Sequence, residues 1–263
     1  MEILGYISAV VMGLSLGVIG GGGSILTVPI LVYLFGRDAT IATTDSLFIV
    51  GMTALFGALI KAKKGAIAIR TGFLFAIPSF AGVYVARILL LPLIPTQIYV
   101  AHGILISKSL LILLSFAVLM IFASRAMIRS GGSKNLATTP KHTTFSVLLK
   151  GFSIGIVTGF VGAGGGFLII PALVILLHLP MEKAVGTSLA IIAANSLFGF
   201  AISAQNQVPE WSLLIKISLI GVIGLTIGHQ IAGKFPEARL KKGFGYFVLI
   251  VGTLIVVDQL YRI

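Results

Sequence analysis

The sequence predicts an all-α, polytopic membrane protein of about 8 to 10 helical segments in two inverted repeats, with glycine-broken short helices meeting near the midplane. Three observations carry that prediction. Apolar residues make up 57% of the 263 and charged residues 10%, with a mean hydropathy of +1.13, whereas soluble domains run at about 45–50% and about 25%. Apolar runs such as 73–91 and 98–123 approach or exceed the roughly 18–20 residues that cross a hydrocarbon core at about 1.5 Å per helical residue. The chain also matches itself, without a gap, at an offset of 142 residues.

That offset pairs Gly13 with Gly155, Gly17 with Gly159, Gly20 with Gly162, Gly22 with Gly164, Gly23 with Gly165 and Pro29 with Pro171. It continues through Ala42 and Ala184, Ser46 and Ser188, to Leu55-Phe56-Gly57 and Leu197-Phe198-Gly199. Of the 45 pairs between Gly13 and Gly57, 17 are identical, more than composition bias gives, so the chain reads as an internal duplication. The first repeat covers 1–128 and the second 145–263. Between them, 129–144 is a polar linker rich in Gly, Ser, Lys and Thr that ends on Pro140-Lys141-His142.

The elements follow in order. Met1-Glu2-Ile3 opens without a basic region or small-residue cleavage site, so 3–19 is expected as a retained helix. A short segment, 24–36, follows the first glycine run and carries Pro29. Longer apolar stretches at 41–60, 70–91 and 97–124 complete the repeat, separated by basic or proline-containing gaps. The second repeat mirrors this with 145–161, 167–179, 184–203, 211–233 and 243–261.

Charge decides the threading. Lys61, Lys63, Lys64 and Arg70, then Arg125 through Lys150, then Lys234, Arg239, Lys241 and Lys242 form three basic gaps, and the positive-inside rule puts all three in the cytoplasm. The gaps 92–96 and 204–210 lack Lys and Arg and belong outside. A single crossing by 145–179 would move Lys234 to Lys242 to the wrong side, so this glycine-interrupted stretch must enter the membrane and return. Five segments per half then invert the second repeat and place both chain ends outside. The +12 formal charge is thus a topology signal, not a nucleic-acid surface.

Gly20-Gly21-Gly22-Gly23-Ser24 and Gly162-Ala163-Gly164-Gly165-Gly166 cannot hold a helix against their entropy cost. Each should be an unwound turn between short helices, tolerated at membrane depth only where buried or lining a wet cavity. Amides around Gly22 to Ile25 and Gly164 to Leu168 would then be free at the N-terminus of the next helix, where the macrodipole favours an anion. By contrast, the Gly13-x3-Gly17 and Gly155-x3-Gly159 pairs read as close helix-packing motifs.

These paired glycine turns with downstream prolines, together with Ala184-Val185-Gly186-Thr187-Ser188-Leu189, resemble the TauE/SafE sulfite exporter family over nearly the whole chain. The resemblance implies a transporter of sulfite, sulfonates such as sulfoacetate, or related small sulfur anions. It implies substrate contacts at Gly20, Gly21, Gly22, Gly23, Ser24, Gly162, Gly164, Gly165, Gly166, Thr187 and Ser188. The first half departs from symmetry, since Asp45 stands opposite Thr187.

Ionisable residues inside spans default to functional candidates. Asp45 near the start of its segment is either a helix cap or, beside an anion site, a proton-coupling carboxylate. Lys108, near the middle of 97–124, is expected to face a cavity and contact substrate. Arg87 and His229, equivalent in the repeat, read as interfacial snorkelling residues. His102 reads as a packed polar residue, and Asn195 and Thr53 as interhelical hydrogen bonders or substrate contacts. Ser153 sits in a formal G-x-S-x-G, but that motif needs a strand before it.

Other function classes lack their residues. There is no cysteine, only four His and seven acidic residues in scattered positions, and no Gly-Lys-Ser/Thr ending to a glycine run, so neither an intramembrane enzyme nor a nucleotide-driven pump is supported. A secondary transporter, ion- or proton-coupled, is the reading. An anion channel and, more remotely, an intramembrane hydrolase are the alternatives. No cofactor is expected, and no nucleic acid. The expected partners are a small anionic substrate and membrane lipids, with a homodimer left open and the inner (plasma) membrane as location.

Overall fold

A computed structural model describes residues 2–95, 97–100, 104–129, 144–162, 164–177, 179–206, 208–232 and 237–261. Residues 130–143 of the linker, Ala163, His102 and His178 lie outside the described residues. Among the described residues the regular elements are helices apart from one pair of strands. Helix α1 is Glu2–Ile19; α2, Gly22–Leu34, starts as a 3-10 turn and ends as a π turn; α3 is Ala39–Lys63; α4 is Ile69–Leu93, with a π stretch over Val85–Leu90. After β1 (Gln97–Val100) and β2 (Ile104–Ser107) come α5 (Lys108–Arg129), α6 (Thr144–Val161), α7 (Gly166–Leu177), α8 (Met181–Ser203), α9 (Trp211–Ile231) and α10 (Glu237–Tyr261). Six of the helices are long and apolar enough to cross a membrane.

One expected element differs. The 97–124 segment is helical only from Lys108 onward, and before it β1 and β2 pair antiparallel, Gln97 opposite Ser107 and Val100 opposite Ile104. Gln97-Ile98-Tyr99-Val100 and Ile104-Leu105-Ile106 are dominated by β-branched and aromatic residues around Ala101-His102-Gly103, which favours a hairpin over a helix. Hydropathy alone does not register that preference. Lys108 consequently opens α5 instead of lying at mid-span.

The first glycine-interrupted stretch doubles back on itself. Gly20 takes φ +80°, a left-handed conformation that favours glycine, and α2 then runs back beside α1. Gly5 abuts the Phe35 ring, and Tyr6 meets it edge-on with centroids 5.3 Å apart. In the second half, the Leu179 N–H donates to the Leu173 carbonyl as Arg37 N–H does to Leu31, at positions related by the repeat offset.

Helix neighbours also follow the offset. Helix α1 packs on α9 as α6 packs on α4, and α3 packs on α8, α5 on α10 and α2 on α7. Gly13 lies against Gly221 as Gly155 lies against Ser79, and Gly17 against Leu225 as Gly159 lies near Val83. These small residues let backbones touch, as the G-x3-G spacing requires. Between α3 and α8, Leu47 meets Gly199 while Gly57 meets Leu189. The two helices therefore run antiparallel, and exchanging the repeats maps each contact onto the other.

Candidate functional site

Each glycine turn is tied to a long helix of the opposite repeat. Ser188 Oγ hydrogen-bonds to the Gly20 carbonyl at 3.0 Å and to its own helix at Val185. Its repeat mate Ser46 does the same to Gly162 and Thr43. Since a hydroxyl has one proton, these serines fix the turns and have no second proton to give an anion. Ser46 was absent from the sequence candidates, although its identity with Ser188 across the repeat was the signal for it.

The turns meet in the interior. A Cβ on Gly21 would stand 2.5 Å from the Gly166 carbonyl oxygen, so backbone touches backbone. Gly22, Gly23 and Ser24 are buried, with Ser24 Oγ donating to the Gly21 carbonyl at 2.9 Å. Gly162, Gly164 and Gly165 take φ +74°, +64° and +70°. Helix α7 starts directly at Gly166, its first turn closed by Leu168 and Ile169 N–H groups on the Gly165 carbonyl. The second half thus presents a regular α-helical N-terminus, whereas the first presents a 3-10 turn whose dipoles are less well aligned.

The remaining sequence candidates stand apart from the turns' meeting point. Thr187 Oγ1 accepts the Ala68 N–H at 2.9 Å, at the start of α4. Lys108 Nζ donates to the Leu91 carbonyl at 2.5 Å. Asp45 is buried but is not the cap of α3, because Asp38 takes that place and accepts from Thr40 N–H at 2.7 Å. Asp45 instead lies 3.3 Å from Arg37 Nε, and Arg37 Nη2 lies 2.9 Å from Glu210. Arg37 so bridges two carboxylates from α3 and the start of α9.

Arg87 was read as snorkelling, and the structure corrects this. It is 5% exposed and sits in the π stretch of α4. Its guanidinium reaches Thr44 Oγ1 at 3.2 Å, the Thr43 carbonyl at 3.1 Å and Thr43 Oγ1 at 3.5 Å. Every one of these acceptors is neutral, and Nε has no partner among the described residues. Thr43 in turn presses against Gly162. Ser196, a buried hydroxyl with no partner among the described residues, lies 2.7 Å from where a Gly164 Cβ would be. The second turn therefore touches Ser196 directly and reaches Arg87 through Thr43.

A buried cation facing only neutral oxygens is incomplete electrostatically, because its desolvation is not repaid by a counter-charge. Among the described residues this guanidinium has no counter-charge within ion-pair distance. Ser153 lies within α6 and donates to Leu149 one turn back, so it has no nucleophile-elbow geometry. No group of three or more potential metal ligands occurs among the described residues.

Comparison with known proteins decides the family. The model of the sulfite exporter TauE/SafE family matches residues 6–255. The chain belongs to the TauE/SafE family. Among curated relatives, a probable membrane transporter protein of Xylella fastidiosa (strain Temecula1) is 29% identical over 256 residues, covering 93% of this chain and 91% of the relative. The probable membrane transporter protein YdhB of Bacillus subtilis (strain 168) is 26% identical over 250 residues, covering 93% and 96%. No solved structure matches. As a TauE/SafE member the chain is an integral membrane transporter and not an enzyme.

Proposed function

We propose that the chain is a secondary transporter of small sulfur-containing anions, such as sulfite or a sulfonate like sulfoacetate, in the plasma membrane. The buried Arg87, hydrogen-bonded only to neutral threonine oxygens beside the second glycine turn, carries this reading. An oxyanion docked there gains the guanidinium, the Ser196 hydroxyl and amides at the start of α7. A planar guanidinium offers paired donors suited to oxyanions. The exchange of contacts between halves supports inverted repeats about a two-fold, and the three basic gaps favour a cytoplasmic linker with both ends outside. Alternating access then amounts to the two halves trading roles.

Coupling is assigned to Asp45. Protonation there would release Arg37, which also holds Glu210, and so would loosen α3 from the start of α9. Asp45→Asn is expected to keep anion binding and lose the pH dependence of flux. Unchanged pH dependence would remove Asp45 from the mechanism.

The direct test is counterflow in proteoliposomes, with labelled sulfite inside and sulfite, sulfate, thiosulfate, sulfoacetate, taurine or acetate outside. Saturable exchange with the sulfur oxyanions and none with acetate is expected. Equal exchange with all six, or none with any, would overturn the substrate assignment.

A further inference from the structure

The repeat places a basic side chain at the same position in both halves, Arg87 in α4 and His229 in α9, but in opposite settings. Arg87 is enclosed, while His229 lines a small cleft between Gly17 of α1, Gly57 and Lys61 of α3, and Leu189 of α8. Lys61 is half-buried in the cleft wall. Lys64, just past the end of α3, brings its Nζ to 2.9 Å from His229 Nε2. An ammonium has no lone pair, so it donates and Nε2 accepts, which puts the imidazole proton on Nδ1. Opposing charge is sparse here. Glu182, in the first turn of α8, is exposed and acts on Lys61 through space. Among the described residues no carboxylate lies within ion-pair distance of Lys61, Lys64 or His229.

We propose that the mouth of this cleft is a second anion station, which takes a sulfur oxyanion together with a proton at the end of the molecule opposite Arg87. The proposal rests on the transport reading above. An oxyanion entering between Lys61 and Lys64 draws the Lys64 ammonium off Nε2. The freed Nε2 lone pair then accepts a proton from solvent, forming an N–H bond that donates to the same anion. Three cationic groups then surround one anion, which Lys64 and a neutral imidazole facing each other do not offer. The repeat makes the two stations equivalent in sequence position but not in charge: Arg87 holds its charge permanently, whereas His229 gains one with its ligand.

The test uses full-length protein in nanodiscs with 15N-labelled histidine. Four histidines are present, and His229→Gln assigns the signal of interest. Sodium sulfite titrated at pH 7 should convert His229 saturably from the Nδ1–H tautomer to imidazolium, while sodium chloride at equal ionic strength should not. Lys61→Gln with Lys64→Gln should weaken the response at least about tenfold, on the scale of losing close charge pairs at a protein surface. In Arg87→Met protein the His229 response should persist. A His229 that stays neutral while sulfite saturates transport, or that responds equally to chloride, overturns the station even if counterflow succeeds. A wild-type protein that moves no sulfur anion overturns the transport reading instead, whatever His229 does.

Discussion

Burying the Arg87 guanidinium against Thr43 and Thr44 costs more than those neutral hydrogen bonds return, so stability does not account for its place in α4, whereas the proposed anion would. Asp38 is the contrasting residue, with a plainly structural role. Its carboxylate caps α3 through Thr40 N–H and also accepts from Ser109 Oγ at 2.7 Å, tying α3 to the start of α5. Burial pushes its carboxyl up, but the hydrogen bonds from Ser109 and Thr40 outweigh that and hold it below its ordinary value. A depressed folded value means the stabilisation is present at neutral pH and is lost as pH falls through it. Asp38→Ala should therefore cost about 1 kcal/mol at pH 7, read as a lowered Tm in detergent, and the gap to wild type should close on acidification. A gap that persists at low pH would show that the cap's charge is irrelevant. From sequence Asp45 was the only cap candidate named; the register of α3 gives the cap to Asp38 and leaves Asp45 as the buried partner of Arg37. Arg87 was misread because α4 was judged by its distance from the helix end. Its spacing from Ser79 and Val83, both buried, placed it on the inward stripe.

At the level of elements, the glycine turns were legible because four consecutive glycines have no other stable use in an apolar chain. The hairpin before α5 was not, since hydropathy scores Ile, Tyr and Val equally in strand and helix. Positive φ now distinguishes the glycines that composition made equivalent. Gly165, at φ +70° with the Thr158 side chain where its Cβ would go, should tolerate no valine. Strain and overpacking at such a site cost about 1–3 kcal/mol each. Gly165→Val is expected to lower Tm and abolish counterflow. Ser24→Ala, which removes only a bond to the Gly21 carbonyl, should cost about 1 kcal/mol and leave exchange within a fewfold of wild type. Comparable flux in the two variants would show that the turn's backbone conformation is not what the site needs.

Across the whole molecule, the duplication read from the sequence at an offset of 142 recurs as exchanged contacts, Leu47 with Gly199 and Gly57 with Leu189. Two-fold pairing places one glycine turn beside each long helix of the other repeat and brings Gly21 onto Gly166. The repeat mates differ in charge, however: Arg87 is a permanent cation and His229 is not. If Arg87 holds the transported anion, then replacing it with an apolar side chain of similar length should relieve a buried, unpaired charge while removing the ligand's counter-charge. The decisive measurement is Arg87→Met, assayed for sulfite counterflow and for thermal unfolding in the same preparation. Exchange lost at least about a hundredfold, equivalent to some 2.7 kcal/mol, with Tm equal to or above wild type, is the result expected. Retained exchange, or a protein that loses exchange only because its Tm falls, would contradict an anion site built on Arg87.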